Sequence, residues 1–298
     1  MAINRADIAK QLLPGLNAIF GLEYAAVDEE ERPLFDMENS DRAFEEEVLM
    51  TGFGAAPTKA EGAAVVYDTA QESWTSRYTA ETVALAFAVT EEAMEDNLYD
   101  TFAKVRARAL ARAMAQTKQV KAANVYNNGF TAGFDGVVLF SAAHPTVGDG
   151  NQSNLETAAD LSEGTLETAI INTHKMKDDR GIFIGASPVS LHVAPDGQFD
   201  ADRILASPGR PNTDLNDINA VRNLGLVPNG YYVNRRFTDA DAWFLRNDCP
   251  NGTKMFMRAP LATKMEPDFD TGNLRFKARE RYSFGWSDWR QWRGNKGV

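Results

Sequence analysis

The run from Thr90 to Asn127, TEEAMEDNLYDTFAKVRARALARAMAQTKQVKAANVYN, contains neither proline nor glycine, and its reading decides the fold. Thr90 reads as an N-cap, and Glu91 and Glu92 place negative charge at the positive end of a helix. Met94, Leu98, Phe102, Val105 and Ala109 recur at intervals of four and three, the spacing of one helical face. Lys104, Arg106, Arg108 and Arg112 fall on the solvent side. The spacing predicts a helix over 91–127, about 55 Å long at about 1.5 Å per residue. The mean helix has about 11–12 residues. One element this long in a chain of 298 residues implies an elongated or plate-like subunit.

Upstream, residues 3–20 read as an amphipathic helix with Ile8, Leu12, Leu13, Leu16, Ile19 and Phe20 as apolar positions, broken at Pro14-Gly15. Such a piece is expected to be an arm that packs on something else, followed by a solvated acidic loop, Asp28-Glu29-Glu30-Glu31. Residues 43–89 read as strands around a long exposed turn, Thr51 to Gly62, with three glycines and a proline. Ala64–Tyr67, Trp74–Tyr78 and Val83–Val89 are the expected strands on its far side. The result is a β-hairpin standing away from a core, and a two-stranded hairpin is marginal alone in water.

Downstream, a loop-rich region over 134–155 precedes a helix opening at Leu161-Ser162-Glu163 and ending before Gly181. A buried strand is expected over 186–195, a short helix over 199–206, a polar breaker-rich loop over 207–219, and short strands at 226–228, 231–233, 243–245 and 255–257. Residues 273–282 alternate apolar and charged side chains, the period-two pattern of a strand with one buried face. Three of the five tryptophans follow, at Trp286, Trp289 and Trp292. No internal repeat is found.

Hydrophobic residues make up 44% and charged residues 24%, the composition of a globular protein. No stretch reaches 18 apolar residues, and no signal peptide is read, so neither a membrane span nor a membrane partner is expected. With 31 basic against 42 acidic residues the net charge is −11, unsuited to gripping nucleic acid. Residues 1–50 carry four basic and twelve acidic groups, and residues 274–298 seven basic and two acidic. These opposite ends read as two solvated faces, or as one subunit's N-terminal segment docking near another's C-terminal region.

Catalytic signatures are missing: there is no Gly-x-Ser-x-Gly, no P-loop, no dinucleotide fingerprint and no His-Glu-x-x-His. Among the histidines, His144 reads as a turn residue bonded to backbone, His174 as helix surface and His192 as a core residue. A triad of Ser141, His144 and Asp135 can be drawn, but triads are set by geometry and not by neighbourhood. Cys249, the single cysteine, reads as an idle thiol. The run Asp268 to Asn273 lacks the glycine and glutamate of a calcium loop and reads as a β-turn. Glu45 and Glu47 read as strand surface. No catalytic residue, cofactor or metal is expected; the chain reads as a subunit completed by its neighbours.

Asp135-Gly136-Val137-Val138-Leu139-Phe140-Ser141-Ala142-Ala143-His144-Pro145, then Asn154-Leu155 and Leu161-Ser162, resembles the DG-x-x-LFS-x-x-HP … NL … LS segment of tailed-bacteriophage major capsid proteins, the Mu-like major head subunits especially. Residues 268–282 are similar to the C-terminal strand of that group, and the order of elements fits along essentially the whole chain. The resemblance implies the α+β tailed-phage capsid fold, that of phage HK-ninety-seven. It has an N-arm (1–40), an E-loop hairpin with flanking strands (41–90), a peripheral P-domain with spine helix (91–159), an axial A-domain (160–255) and a return to the P-domain sheet (256–298). It implies a structural protein forming hexamers and pentamers that close into an icosahedral head around double-stranded DNA, assembled in the host bacterial cytoplasm. Scaffolding, portal and decoration proteins are possible partners, and the packaged DNA is contacted only weakly. With little before the helical arm, any scaffold is expected to be a separate protein.

The assembly-interface candidates that follow are Phe53, Pro57, Lys59 and Glu61 on the loop, Leu12, Leu16 and Phe20 on the arm, Arg210 and Asp214 in the 207–219 loop, and Arg279 and Arg281 on the last long strand. Some members of that family join an E-loop lysine to a neighbour's asparagine. Lys59 is the only lysine between residues 43 and 103, and nothing in the sequence singles out an asparagine or glutamate to match it. Three other readings stand beside the capsid: a nanocompartment shell of the same fold with protein cargo, a soluble hydrolase acting through Ser141 and His144, and a tail component.

Overall fold

The structure, a computed structural model, describes residues 5–95, 99–130, 137–148, 150–210, 217–268 and 270–298, with side chains except at 5–14, 94–95 and 99–102. The first half runs α1 (Arg5–Ala25), β1 (Asp36–Asn39), β2 (Phe44–Met50), β3 (Glu72–Thr79), β4 (Glu81–Val89), α2 (Glu91–Glu95), α3 (Tyr99–Asn127), β5 (His144–Pro145) and β6 (Asn151–Gln152). The second half runs α4 (Glu163–His174), β7 (Pro188–Val193), α5 (Gln198–Ala206), α6 (Ala220–Asn223), β8 (Tyr231–Val233), β9 (Trp243–Asn247), β10 (Thr253–Pro267), β11 (Leu274–Trp286) and β12 (Trp292–Asn295).

Two four-stranded sheets organise the chain, in the orders β1-β10-β11-β4 and β12-β9-β7-β8. In the first, β10 and β11 form a long antiparallel ribbon, β4 adds antiparallel to β11, and β1 adds parallel to β10. The alternation in residues 273–282 is realised: Leu274, Phe276 and Ala278 are buried while Arg275, Lys277 and Arg279 are exposed. Phe276 and Ala278 of this row pack with Ala103, Ala107, Leu110, Ala111 and Met114 of α3 and with Leu16 and Phe20 of α1. The second sheet carries a separate apolar cluster, in which Leu166 and Ile170 of α4 and Ala201 and Ile204 of α5 cover Leu191, Val193, Trp243 and Leu245. Between them lies an aromatic core of Tyr126, Phe140, Phe244, Trp286, Trp289 and Trp292, whose members come from α3, the 137–148 segment, β9 and the C-terminus. β11 lies in the first sheet and β12 in the second, so the chain's last residues serve both sheets. No helix among the described residues is long and apolar enough to cross a membrane.

Several expectations are corrected. Helix α1 runs through Pro14 and Gly15 without a break; burial of Leu16 and Phe20 against α3 offsets the hydrogen bond that a proline nitrogen cannot make. The face of α3 that meets the body is alanine-rich, while Val105 and Ala109, placed by spacing on the apolar side, are exposed. Small side chains let α1 and the sheet approach the helix axis. Thr90 Oγ1 accepts from the Ala93 N–H at 3.4 Å, as an N-cap does, and residues 96–98 of the expected long helix lie outside the described residues. Residues 64–67 and 226–228 are not strands. Among the described residues Val65, Val66 and Tyr67 have no partner strand, and a β-rich composition needs one to become a ladder.

Candidate assembly surfaces

The hairpin begins where β2 and β3 pair antiparallel from Phe44↔Thr79 to Met50↔Glu72. Its stem is docked and does not stand free. Tyr78 packs edge-on against Phe256 at 4.8 Å between centroids, and Trp74 meets Trp286 at 6.1 Å and donates to the Ser287 carbonyl at 3.2 Å. Gly285 makes room for this: a Cβ there would lie 2.7 Å from the Tyr78 ring. Glu47 receives Lys254 Nζ and the Ser287 hydroxyl, each at 2.5 Å, so it is an anchor and not free strand surface.

Beyond Met50 the chain leaves the body. Thr51 closes the base, its N–H donating to the Gln71 carbonyl at 2.8 Å. Asp68 is tethered by the Gly54 N–H and Arg180, both at 2.7 Å, which hold its carboxyl below the ordinary value. Between these ties Pro57, Lys59 and Glu61 are exposed, as are Phe53 (65%) and the unforeseen Val65, Val66 and Tyr67, the last at 94%. The chain as a whole exposes 16735 Å² at 32.8 kDa, where a compact monomer of that mass exposes about 12,500 Å².

The arm candidates behave differently. Leu16 and Phe20 are each 2% exposed within one chain, Phe20 lying 6.1 Å from the Phe276 ring, so in the single chain they seat α1 on its own body. The side chain of Leu12 is outside the described residues. The acidic N-terminal groups also find partners at home: Arg112 binds Glu23, Lys118 binds Glu31, Arg235 and Arg236 bind Glu30, Arg246 binds Asp36 and Lys254 binds Glu38. These cations come from α3, the 235–236 turn, β9 and β10, not from the basic C-terminal stretch, so these N-terminal carboxylates are already partnered within the chain. In the 207–219 loop, Arg210 pairs with Glu163 at 3.1 Å, and Asp214 lies outside the described residues. Arg279 is exposed on the open face of β11, and Arg281 beside it is half-buried with Nε unbonded.

The groups that could carry chemistry are committed to structure. His144 is buried, stacked on Trp289 at 4.4 Å between centroids, and its Nε2 meets Asn154 Oδ1 at 2.9 Å, which replaces the expected turn residue. Burial pushes its pKa down to about 4. Ser141 Oγ accepts from the Ala143 N–H, while Asp135 lies outside the described residues. His192 is buried against Tyr232 and Ser190, with its pKa pushed down to about 3 by burial, and burial pushes the Cys249 thiol up to about 12. His174 is exposed on its helix. Asp268 and Asn273 close the β10–β11 turn. Among the described residues no cluster of histidine, cysteine and carboxylate side chains could hold a metal.

Asn154 is the centre that sequence inspection missed. Its Oδ1 accepts from the Ser141 N–H at 2.9 Å, and its Nδ2 faces the carbonyls of Leu139, Trp292 and Trp289 at 2.8, 3.1 and 3.2 Å. The LFS-x-x-HP … N pattern is therefore a lock that ties the 139–155 segment to the C-terminal tryptophans.

Residues 71–294, three quarters of the chain, match the family model described as phage capsid protein. No curated protein matches the sequence. Solved structures share the fold at low identity. The capsid of a native GTA particle is 14% identical with 92% of each chain covered and a TM-score of 0.56. The procapsid of bacteriophage JBD30 is 14% identical, covering 99% of this chain and 77% of that one, with a TM-score of 0.55. A virus-like particle from Pyrococcus furiosus is 9% identical, covering 95% and 98%, also with a TM-score of 0.55. The α+β fold is thus that of phage capsid subunits, and the chain belongs to the phage capsid protein family, as a structural component of a virion shell.

Proposed function

We propose that this chain is the repeating tile of an icosahedral phage head, assembled in the host bacterial cytoplasm as hexamers and pentamers that enclose double-stranded DNA. The observation that carries the reading is the surface excess of about 4,000 Å² over a compact monomer, with Phe53, Val65, Val66 and Tyr67 bare on the 51–71 loop. Obligate interfaces commonly bury 2,000–5,000 Å² or more, and exposed apolar groups in sequence mark such contacts. On this reading residues 1–40 are the N-arm, 41–90 the E-loop with its flanking strands, 91–159 and 256–298 the P-domain, and 160–255 the A-domain. The motif around His144 supports a place among the Mu-like head subunits. Phe53, Pro57, Lys59 and Glu61 would lie over an adjacent subunit, with Arg210, Arg279 and Arg281 as further contact points. Scaffolding, portal and decoration proteins are its expected partners. The net charge of −11 supports only weak contact with packaged DNA. The reading includes no enzymatic role.

Electron microscopy of the expressed protein tests this: closed shells are expected, while a compact monomer with residues 50–62 protected from protease would overturn it. The likeness to the Pyrococcus furiosus particle supports a second reading, a shell around protein cargo; nuclease-protected DNA inside purified particles decides against that alternative.

A further inference from the structure

The junction where α1, the 26–35 segment, α3 and β11 meet holds an uneven set of buried ionisable groups. Glu280 occupies the apolar row of β11, in phase with Leu274, Phe276 and Ala278, and is 1% exposed. Its Oε2 accepts from the Tyr24 hydroxyl of α1 at 3.1 Å, and its Oε1 has no partner. Glu31, also buried, pairs through Oε1 with Lys118 Nζ of α3 at 3.1 Å, and its Oε2 has no partner. The neighbouring Tyr282 hydroxyl is likewise buried and unbonded. Glu81 of β4, paired with Lys121, stands opposite Tyr282 in register. Inside the junction two carboxylates therefore share one ammonium. With both ionised, a buried negative charge is left over; with one protonated, the set is neutral.

We propose that Glu280 holds a proton while α1 is seated, and that loss of this proton loosens the arm, so that the junction is a proton-operated latch on residues 15–25. Lys118 is already bonded to Glu31, and Tyr24 donates a single hydrogen bond, too little to compensate a buried charge. Burial, reinforced by Glu31, raises the Glu280 carboxyl above its ordinary value against the opposing pull of Lys118 and Tyr24. The seated arm thus binds one proton more than the released arm. Seating is strongest in acid, weakens as pH rises from the ordinary glutamate range through the seated value, and is level above it. The latch acts within one chain and is independent of the shell reading. Its output is the arm that Leu16 and Phe20 hold against α3.

The test is hydrogen exchange at residues 15–25 of the purified, unassembled chain between pH 5 and pH 9, corrected for intrinsic rates. The wild-type opening constant is expected to rise by up to about tenfold per pH unit and then level off. In Glu280→Gln it is expected to be low and independent of pH. An infrared band from a protonated carboxyl is expected at the acid end of this range in the wild type, fading as pH rises through the transition, and not in Glu280→Gln. A flat wild-type profile, the same slope in both proteins, or no such band overturns the proposal. Should Glu280→Gln fail to fold, Glu31→Gln frees Lys118 for Glu280 and is expected to move the transition to lower pH; an unmoved transition also overturns it. The readout is local because buried His144 and His192 drive global stability in the opposite direction with pH.

Discussion

Replacing Asn154 by alanine is expected to damage this protein more than any loop substitution. The side chain accepts from the Ser141 N–H, meets His144 Nε2, and donates into a ring of three backbone carbonyls, with every participating residue buried except the half-buried Ser141. An amide nitrogen has two hydrogens, so the three carbonyls share two donors, and the site amounts to about four real hydrogen bonds. Leaving a buried polar group unsatisfied costs about 1–3 kcal/mol. Some groups relax toward other partners, so a total of about 3–5 kcal/mol is expected, in the rare upper tail of point substitutions. At about 2–4 °C per kcal/mol for a chain of this size, the melting temperature should fall by about 10 °C. Asn154→Asp is the control: it keeps an acceptor for Ser141 but turns oxygen toward the carbonyls of Leu139, Trp289 and Trp292, and should be at least as destabilising. Thermal unfolding of the unassembled chain, followed by near-ultraviolet circular dichroism of the tryptophans, reads both. A fall of less than about 2 °C in either variant refutes the lock.

The remaining predictions are shorter. Phe140 is held between two glycines, and a Cβ at Gly294 would lie 2.6 Å from its ring, so Gly294→Ala should destabilise the chain and Phe140→Leu should recover part of the loss, measured as a coupling in a double-mutant cycle. Phe53→Ser combined with Tyr67→Ser should leave the unfolding free energy of the free chain within about 0.5 kcal/mol of wild type, yet sharply reduce shells recovered by sedimentation. The pKa values of His144 and His192, pushed down to about 4 and about 3, mean that the unfolded chain takes up protons first as pH falls below 6.5. Their contribution is full above the unfolded value and lost between 6.5 and those folded values. Denaturant titrations should show this acid limb flattened in a His144→Gln, His192→Gln variant.

How much of this was legible differs by element. β11 could be read because a half-buried strand writes its two faces as alternate residues, and the same register exposes Glu280 as a charge in the apolar phase. The phase of α3 could not, because its buried face is made of Ala103, Ala107 and Ala111, which count little in a hydrophobic pattern but are what close approach of α1 requires. The bare turn over 51–62 was visible in its glycines and proline, whereas Val65, Val66 and Tyr67 have strand composition and, among the described residues, no strand to pair with. The homes of the N-terminal carboxylates were hidden because their cations lie far along the chain, at Arg112, Arg235 and Lys254 among others. Asn154 carried only the signal of its place in the family-like motif.

The distribution of polar and apolar groups argues for the order of events in assembly. Inside the chain, Arg290 reaches Asp179 at 2.7 Å and Arg293 reaches Glu156 at 2.5 Å, both pairs buried around the tryptophan core. Buried pairs add little net stability over apolar packing, and breaking one is costly; they are tolerable only if both partners are already held in place. The core that holds them is complete within one copy. A cluster of apolar groups left in water, Phe53 with Val65, Val66 and Tyr67, sits on one loop whose two ends are tied, at Thr51–Gln71 and at Asp68–Arg180. A neighbour that meets this loop thus meets a tethered segment on a folded body, and the conformational entropy lost there is that of about twenty residues. A chain that instead folded only on contact would leave its tryptophan core unformed in the free state, and near-ultraviolet dichroism of the unassembled protein would then show no tertiary signal.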